Sequence, residues 1–296
     1  SYNTLNSANK AVGYIDKYQD WIFFVSGTGK ISKIKTIDLL NNKNKFTNVD
    51  TNFYDLVKKN ELLLSSSKKI KINHKVSVND ILIVDEKIYI SFTAKRENCY
   101  FNKIVYAELK FDYLNFVNLF NPDQCIAIQD SFSKFNAQAA GGRILKKEGY
   151  LYLTTGTFLN NDLAQNNNSI FGKVLEINIE NGNYKIFAKG FRNPQGLTEY
   201  KNNLILSEHG PYGGDEINKL ILNKNYGWNI ASYGRKYNAS YKNEESFFES
   251  HQNYQEPLFA FVPSVGLSQI VPSYNFEKKW NILLFQRIFP LTFEIR

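Results

Sequence analysis

The 296-residue chain contains no methionine, only two cysteines and only three histidines. Each shortage excludes something. Cys99 and Cys125 form no CxxC pair, and His74, His209 and His251 lie far apart in sequence, so a zinc site is not expected. No run of about 18 apolar residues occurs, so no transmembrane helix is expected. A long basic block is also missing. The net charge of +8 (36 Lys and Arg against 28 Asp and Glu) is scattered, which gives little support for a nucleic-acid partner. The opening Ser1 to Val12 lacks the basic n-region and apolar core of a signal peptide. Without any Met, a start at Ser1 reads as a leader already removed or a gene start set late.

What the chain does have is core material. Hydrophobic residues make up 43% and aromatics 15%, which rules out a disordered chain. The two cysteines fit a disulfide closing a loop of about 25 residues, worth roughly 3 kcal/mol in an oxidising compartment. They fit two unrelated buried thiols equally well.

The periodicity is that of strands. Trp21 to Val25 and Lys30 to Ile34 flank a Ser-Gly-Thr-Gly turn. Asp80 to Val84 turns through Asp85-Glu86 into Lys87 to Phe92. Tyr150 to Thr155 ends at Gly156, and Lys173 to Asn178 turns at Asn181-Gly182-Asn183 into Tyr184 to Phe187. Asn203 to Ser207 follows. Short strands with Asn, Gly and Asp turns indicate an all-β protein. Thr51 to Leu64 reads as a short helix, and Asn41 to Asn48 and Asn160 to Asn168 read as loops. No linker divides residues 1–296. At about 45 residues per four-stranded blade, the chain would hold roughly six, so a six-bladed β-propeller in one domain is expected. Phe285 to Arg296 lacks the turn residues that end strands elsewhere. It allows a truncated or frameshifted end and an incomplete last blade.

Three dense segments could carry chemistry. In Gly190-Phe191-Arg192-Asn193-Pro194-Gln195-Gly196-Leu197, Pro194 and Gly196 would make a tight turn. It would gather a guanidinium suited to carboxylates and two amides that donate and accept. A surface turn whose Arg caps carbonyls explains the same residues. In Ser207 to Asn218, Gly-Pro followed by Gly-Gly makes an irregular loop. Its carbonyls beside Asp215 and Glu216 are hard ligands suited to Ca²⁺, though acidic Gly-rich turns are commonly only turns. His209 alone fits a hydrogen-bonded structural residue. Gly141-Gly142-Arg143-Ile144 opens no helix, so it is not a phosphate-cradling loop.

Taken in order, these segments resemble the glucose/sorbosone dehydrogenase family of pyrroloquinoline quinone (PQQ)-dependent sugar dehydrogenases. The matching text is GGRIL, YLYLTTG, SIFGKVLEIN, GFRNPQGL, SEHGPYGGDEIN, NYGWN, ASYGRKY and PSVGL, strongest over 141–267. The resemblance implies a six-bladed propeller, a sugar or related alcohol as substrate, and an electron acceptor of unspecified kind. It implies a periplasmic or secreted protein. Arg192, Asn193 and Gln195 would contact the quinone, with Arg192 polarising its reactive carbonyl. The backbone carbonyls of Gly210 and Pro211 would hold Ca²⁺, with Asp215 supporting through water.

One departure stands out. The family has a His base four residues before the Arg of its G-R turn, and here that place is Ala139. The Asp that orients this His is replaced by Thr157. Three functions therefore compete: a PQQ- and Ca²⁺-dependent dehydrogenase using another base, a catalytically silent binding propeller, and a Ca²⁺-dependent hydrolase such as a lactonase. The hydrolase ranks last, because the second segment offers mainly carbonyls.

Overall fold

The computed structural model describes residues 13–27, 29–43, 45–58, 77–97, 99–127, 139–236, 248–274, 280–286 and 290–293. The chain forms two compact units: Ser1–Ser133 with Glu180–Gly182, and Lys134–Ile179 with Asn183–Arg296.

In the first unit, β1 (Gly13–Tyr18), β2 (Trp21–Ser26), β3 (Ile31–Lys35) and β4 (Thr47–Asn48) form an antiparallel meander. The short helix α1 (Thr36–Leu40) lies between β3 and β4. β5 (Asp50–Thr51) and α2 (Phe53–Lys58) follow, so the helix expected from Thr51 begins at Phe53, and its stretch past Lys58 falls outside the described residues. A second sheet holds β6 (Ser77–Val84), β7 (Lys87–Arg96) and β8 (Cys99–Glu108). β9 (Tyr113–Leu114) pairs in parallel with β5, while β10 (Val117–Phe120) and β11 (Ile126–Ala127) both pair with β8. The β6–β7 hairpin turns through Asp85 and Glu86, both at positive φ (51° and 57°), the handedness a two-residue turn between twisted strands requires. Cys99 and Cys125 are bonded, tying the segment before β11 to the start of β8.

In the second unit, β12 (Gly141–Lys147), β13 (Tyr150–Thr155), β14 (Lys173–Asn178) and β15 (Tyr184–Lys189) make one four-stranded meander. β16 (Pro194–Tyr200), β17 (Asn203–Glu208), β18 (Asp215–Lys219) and β19 (Phe259–Phe261) make the next. β20 (Leu267–Tyr274), β21 (Trp280–Gln286) and β22 (Pro290–Phe293) form a three-stranded sheet. The middle strands β13 and β14 are buried on both faces, as in blades covered by neighbours, whereas β15 is mostly half-buried and exposed at its start. One core cluster gathers Tyr152, Val174, Phe191, Leu206 and Tyr226; another gathers Ile205, Ile217, Leu267 and Ile270.

The fold is thus an all-β, propeller-type architecture with few helices. Among the described residues four complete blades and a three-stranded sheet are present, not the expected six blades. The two short strands β4 and β5 cut into what reads in sequence as an Asn-rich loop and its sequel. No described helix is long and apolar enough to cross a membrane.

One detail recurs from sheet to sheet. β6, β12, β16 and β20 each open a sheet, and each carries a register shift near its start. Bulges of this kind bend a strand and re-aim the side chain at the extra residue.

Candidate functional site

The bulge of β16 corrects the expectation of a tight turn at Pro194 to Gly196. Pro194 pairs with Glu208 and Gly196 with Ser207, so the extra residue is Gln195 and the segment is a bulged strand. Proline is tolerated as the first residue of a strand, where its missing N–H interrupts no ladder. Similarly, Asp215–Lys219 is strand β18, so the irregular loop of the second segment is confined to residues 209–214.

The three segments meet here. Arg192, 8% exposed, donates its backbone N–H to Glu208 Oε2 (2.7 Å) and Nη1 to the His209 carbonyl (3.2 Å). Its guanidinium sits 5.5 Å from the Trp228 ring centroid, a cation–π contact. Asn193 Oδ1 accepts the Gly141 N–H (3.2 Å), and the Asn193 carbonyl accepts the His209 N–H (3.2 Å). Arg143 Nε donates to the Gln195 carbonyl (2.6 Å), and Gln195 Nε2 approaches Asn193 Oδ1 at 3.5 Å. The Gly-Gly-Arg segment therefore serves as a brace for the Arg192 strand.

The segment before β16 is fixed by the NYGW run. Tyr226 stacks on Phe191 at 4.7 Å, and the Gly190 carbonyl accepts the Trp228 N–H (3.0 Å). Gly190 has φ +86°, and a Cβ there would lie 2.3 Å from Asn225 Oδ1, so only glycine permits this approach.

The 209–214 loop is held from two sides. Tyr212 and Arg235 exchange backbone hydrogen bonds at 3.1 and 3.0 Å. The Asp215 carboxylate, 1% exposed, accepts five donors. Oδ1 takes the Gly210 N–H (3.0 Å) and Ser264 Oγ (2.9 Å). Oδ2 takes the N–H groups of Val265 (3.2 Å), Gly266 (2.7 Å) and Leu267 (3.2 Å). Asp215 thus anchors the PSVGL run to the Gly-Pro turn. A Cβ on Gly210 would lie 2.3 Å from Gly213 O and 2.2 Å from Gly214 O, so only glycine lets these carbonyls crowd the turn. Arg192, His209, Gly210, Gly214 and Trp228 are among the residues lining a small cleft beside the loop.

Two further lining residues form a buried acid pair. Glu208 and Glu216 face each other across β17 and β18, each 5% exposed. Asn218 Nδ2 lies between them, 3.5 Å from Glu208 Oε1 and 3.3 Å from Glu216 Oε2. Burial, reinforced by the Glu216 charge, pushes the Glu208 carboxyl well above the usual carboxylate range despite its Arg192 N–H bond. His251 Nε2 lies 3.4 Å from Glu216 Oε1, and its ring stacks on Tyr233. Burial pulls the His251 pKa down, but Glu216 and Glu256 outweigh it and the net shift is upward.

The expected base position is a different kind of place. Ala139 is 5% exposed, and its carbonyl accepts the Phe158 N–H (2.8 Å). Thr157 is fully buried; its N–H donates to the Arg192 carbonyl (3.0 Å) and Oγ1 to Asn161 Oδ1 (3.0 Å). Neither side chain titrates. Among the described residues no group of three or more His, Cys, Asp or Glu side chains could hold a metal, so a cation here would rely on carbonyl oxygens.

Sequence reasoning gave no role to Trp228, Asn161, Glu208 or His251. Glu208 and Glu216 carried a signal: two acids flanking a Gly-rich hairpin loop end up opposite each other. Asn161 and His251 carried none.

The sequence model of the glucose/sorbosone dehydrogenase family matches residues 75–285. Aldose sugar dehydrogenase YliI of Escherichia coli is 34% identical over 163 residues, 49% of this chain and 43% of that protein. Quinoprotein glucose dehydrogenase B of Acinetobacter calcoaceticus is 39% identical over 85 residues, 24% of this chain and 18% of its own. These matches span less than half of each relative's length. The soluble aldose sugar dehydrogenase of Escherichia coli in its apo form superposes with a TM-score of 0.69 at 18% identity, covering 95% of this chain and 84% of that one. The PQQ-bound aldose sugar dehydrogenase of Streptomyces coelicolor gives 0.55 at 17%, covering 96% and 86%. At such identities the structures establish shared fold alone. The family match, which runs through most of the chain and all the segments meeting at Arg192, carries the assignment: this chain belongs to the glucose/sorbosone dehydrogenase family.

Proposed function

We propose that the chain binds PQQ together with Ca²⁺ and oxidises an aldose or related alcohol. The observation that carries this reading is Arg192, a nearly buried guanidinium held between the His209 carbonyl and the Trp228 ring at a cleft. A buried cation there suits a ligand rich in carboxylates. The donor chemistry fits the group: Arg192, Asn193 and Gln195 would contact it, and the Gly210 and Pro211 carbonyls would supply hard oxygens for Ca²⁺. When bound, PQQ supplies the two-electron acceptor that the side chains themselves lack. Asp215 acts by holding Gly210, since its oxygens already accept five donors. Trp228 orients Arg192, and Glu208 fixes the backbone from which Arg192 projects. The reading includes one six-bladed propeller domain over 1–296, an external electron acceptor and a periplasmic or secreted setting. The Cys99–Cys125 bond supports that setting, because disulfides persist in oxidising compartments.

A second reading rests on a specific observation. Ala139 and Thr157 place a methyl group and a hydroxyl where the family resemblance puts its base pair. A silent relative that binds its ligand without turnover would look like this. Incubating the PQQ- and Ca²⁺-loaded protein with a panel of aldoses and a dye acceptor separates the two. Reduction of the bound quinone by an aldose supports the dehydrogenase; saturable binding with no reduction supports the silent relative.

A further inference from the structure

The connection between β13 and β14, residues 156–172, folds over a buried cation. Lys173 opens β14 with its side chain fully buried. Its Nζ donates to the carbonyls of Leu163 (2.7 Å), Ala164 (2.9 Å) and Phe171 (2.8 Å). An ammonium has three N–H donors, and these three acceptors match them; a neutral amine has only two. Burial, with the Lys189 charge nearby, pulls the Lys173 pKa down to about 7, so the ammonium with its full set of three donors belongs to the acid side of neutrality. Thr155 Oγ1 ties the same connection down by donating to the Ile170 carbonyl (2.5 Å).

The connection in turn grips the NYGWN run. Asn161 Oδ1 accepts Trp228 Nε1 (3.2 Å), and Asp162 Oδ1 accepts Asn229 Nδ2 (3.1 Å). Gln165 Oε1 accepts Asn225 Nδ2 (2.8 Å), and Gln165 Nε2 donates to the Trp228 carbonyl. Trp228 is the ring against which the Arg192 guanidinium packs.

We propose that Lys173 is a positioning residue for the Arg192 cleft: its ammonium gathers three loop carbonyls and so fixes the loop that holds Trp228. The side chain of Lys173 reaches neither Arg192 nor the cleft, and its influence travels through Asn161, Asp162 and Gln165. A methionine at 173 would roughly fill the volume but provide no donor for the carbonyls. The inference rests on the cleft's geometry, not on which cofactor the cleft takes.

The test uses the full chain without cofactor, with Trp21 and Trp280 changed to Phe so that Trp228 alone emits. In K173M the circular dichroism should stay unchanged, while Trp228 emission shifts to the red and acrylamide quenching rises roughly twofold as the loop opens locally. K173A should behave likewise. Propylammonium, which restores the missing methylenes and the charge, should return K173A to the parent's quenching, whereas 1-propanol should not. N161A, which leaves the carbonyl cage intact, should show the K173M signature and gain nothing from propylammonium. Unchanged Trp228 emission and quenching in K173M would overturn the proposal. So would equal rescue by propanol, since Lys173 would then only fill space. If neither Lys173 variant folds, parent-like emission from N161A overturns the loop-to-tryptophan link. None of these readouts involves quinone, so a failure to bind PQQ stays a separate result.

Discussion

The Arg192 corner, which lines the cleft, and the Ala139 corner, which lies outside its lining, are joined through the backbone yet differ in chemistry. Around Arg192 there are a buried guanidinium, an aromatic ring under it, an anchored carboxylate and a pair of buried acids. Around Ala139 there are a methyl group and a hydroxyl whose donor is used by Asn161. The Thr157 N–H to Arg192 carbonyl bond holds the two corners together at 3.0 Å. On the proposed reading, the groups that would grip a ligand and the group that would take a proton from it are separate parts of this scaffold. The first can be intact where the second is missing.

The contrast can be broken from either side. The largest effect is expected from restoring the missing pair. A139H combined with T157D should raise kcat on an aldose by on the order of 10²–10⁴, the usual contribution of a positioned general base. Steady-state assays with a dye acceptor check this, and an unchanged kcat would show that another group already takes the proton. Next comes the anchor of the gripping corner. D215A leaves four backbone N–H groups and Ser264 without their acceptor, and should cost on the order of 3–5 kcal/mol in urea unfolding. D215N keeps one oxygen and should cost less. Third, W228L removes the ring under Arg192. Loss of a desolvated cation–π contact should weaken ligand binding by about 0.5–2 kcal/mol, read by isothermal titration.

The smallest effect should be pH-dependent. The folded-state pKa of His251 lies above its ordinary value, so its contribution is fully present below about 6.5 and is lost as pH rises through the folded value. H251Q should therefore destabilise the protein more at pH 5.5 than at pH 9, as thermal melts at both values will show. Equal losses would mean that His251 acts only through packing on Tyr233.

Much of this arrangement is legible in the sequence because strands leave local marks. Tyr150–Thr155 and Lys173–Asn178 match the periodicity residue for residue. Asp85-Glu86 makes a hairpin where the apolar alternation pauses. Other features depend on pairing, which no single segment reveals. The RNPQG segment reads as a turn because Pro194 and Gly196 are turn formers; only the partner strand shows that Gln195 is an extra residue in a ladder. Asp215 reads as a cation ligand until Ser264 to Leu267, some fifty residues later, supply its donors. Lys173 reads as an ordinary alternating polar residue, because the carbonyls that bury it belong to the backbone and have no side-chain signature. β1 leaves little trace because Gly13–Tyr18 mixes charge and glycine with little apolar alternation.

Equilibrium titration of the purified chain with PQQ and Ca²⁺, followed by absorbance and repeated with R192A, tests the central claim most directly. The account predicts saturable binding by the parent chain. It predicts a loss of at least about tenfold in R192A, in line with removal of one charge-assisted hydrogen bond or more. Binding that R192A leaves unchanged, or no binding by the parent chain, would contradict it.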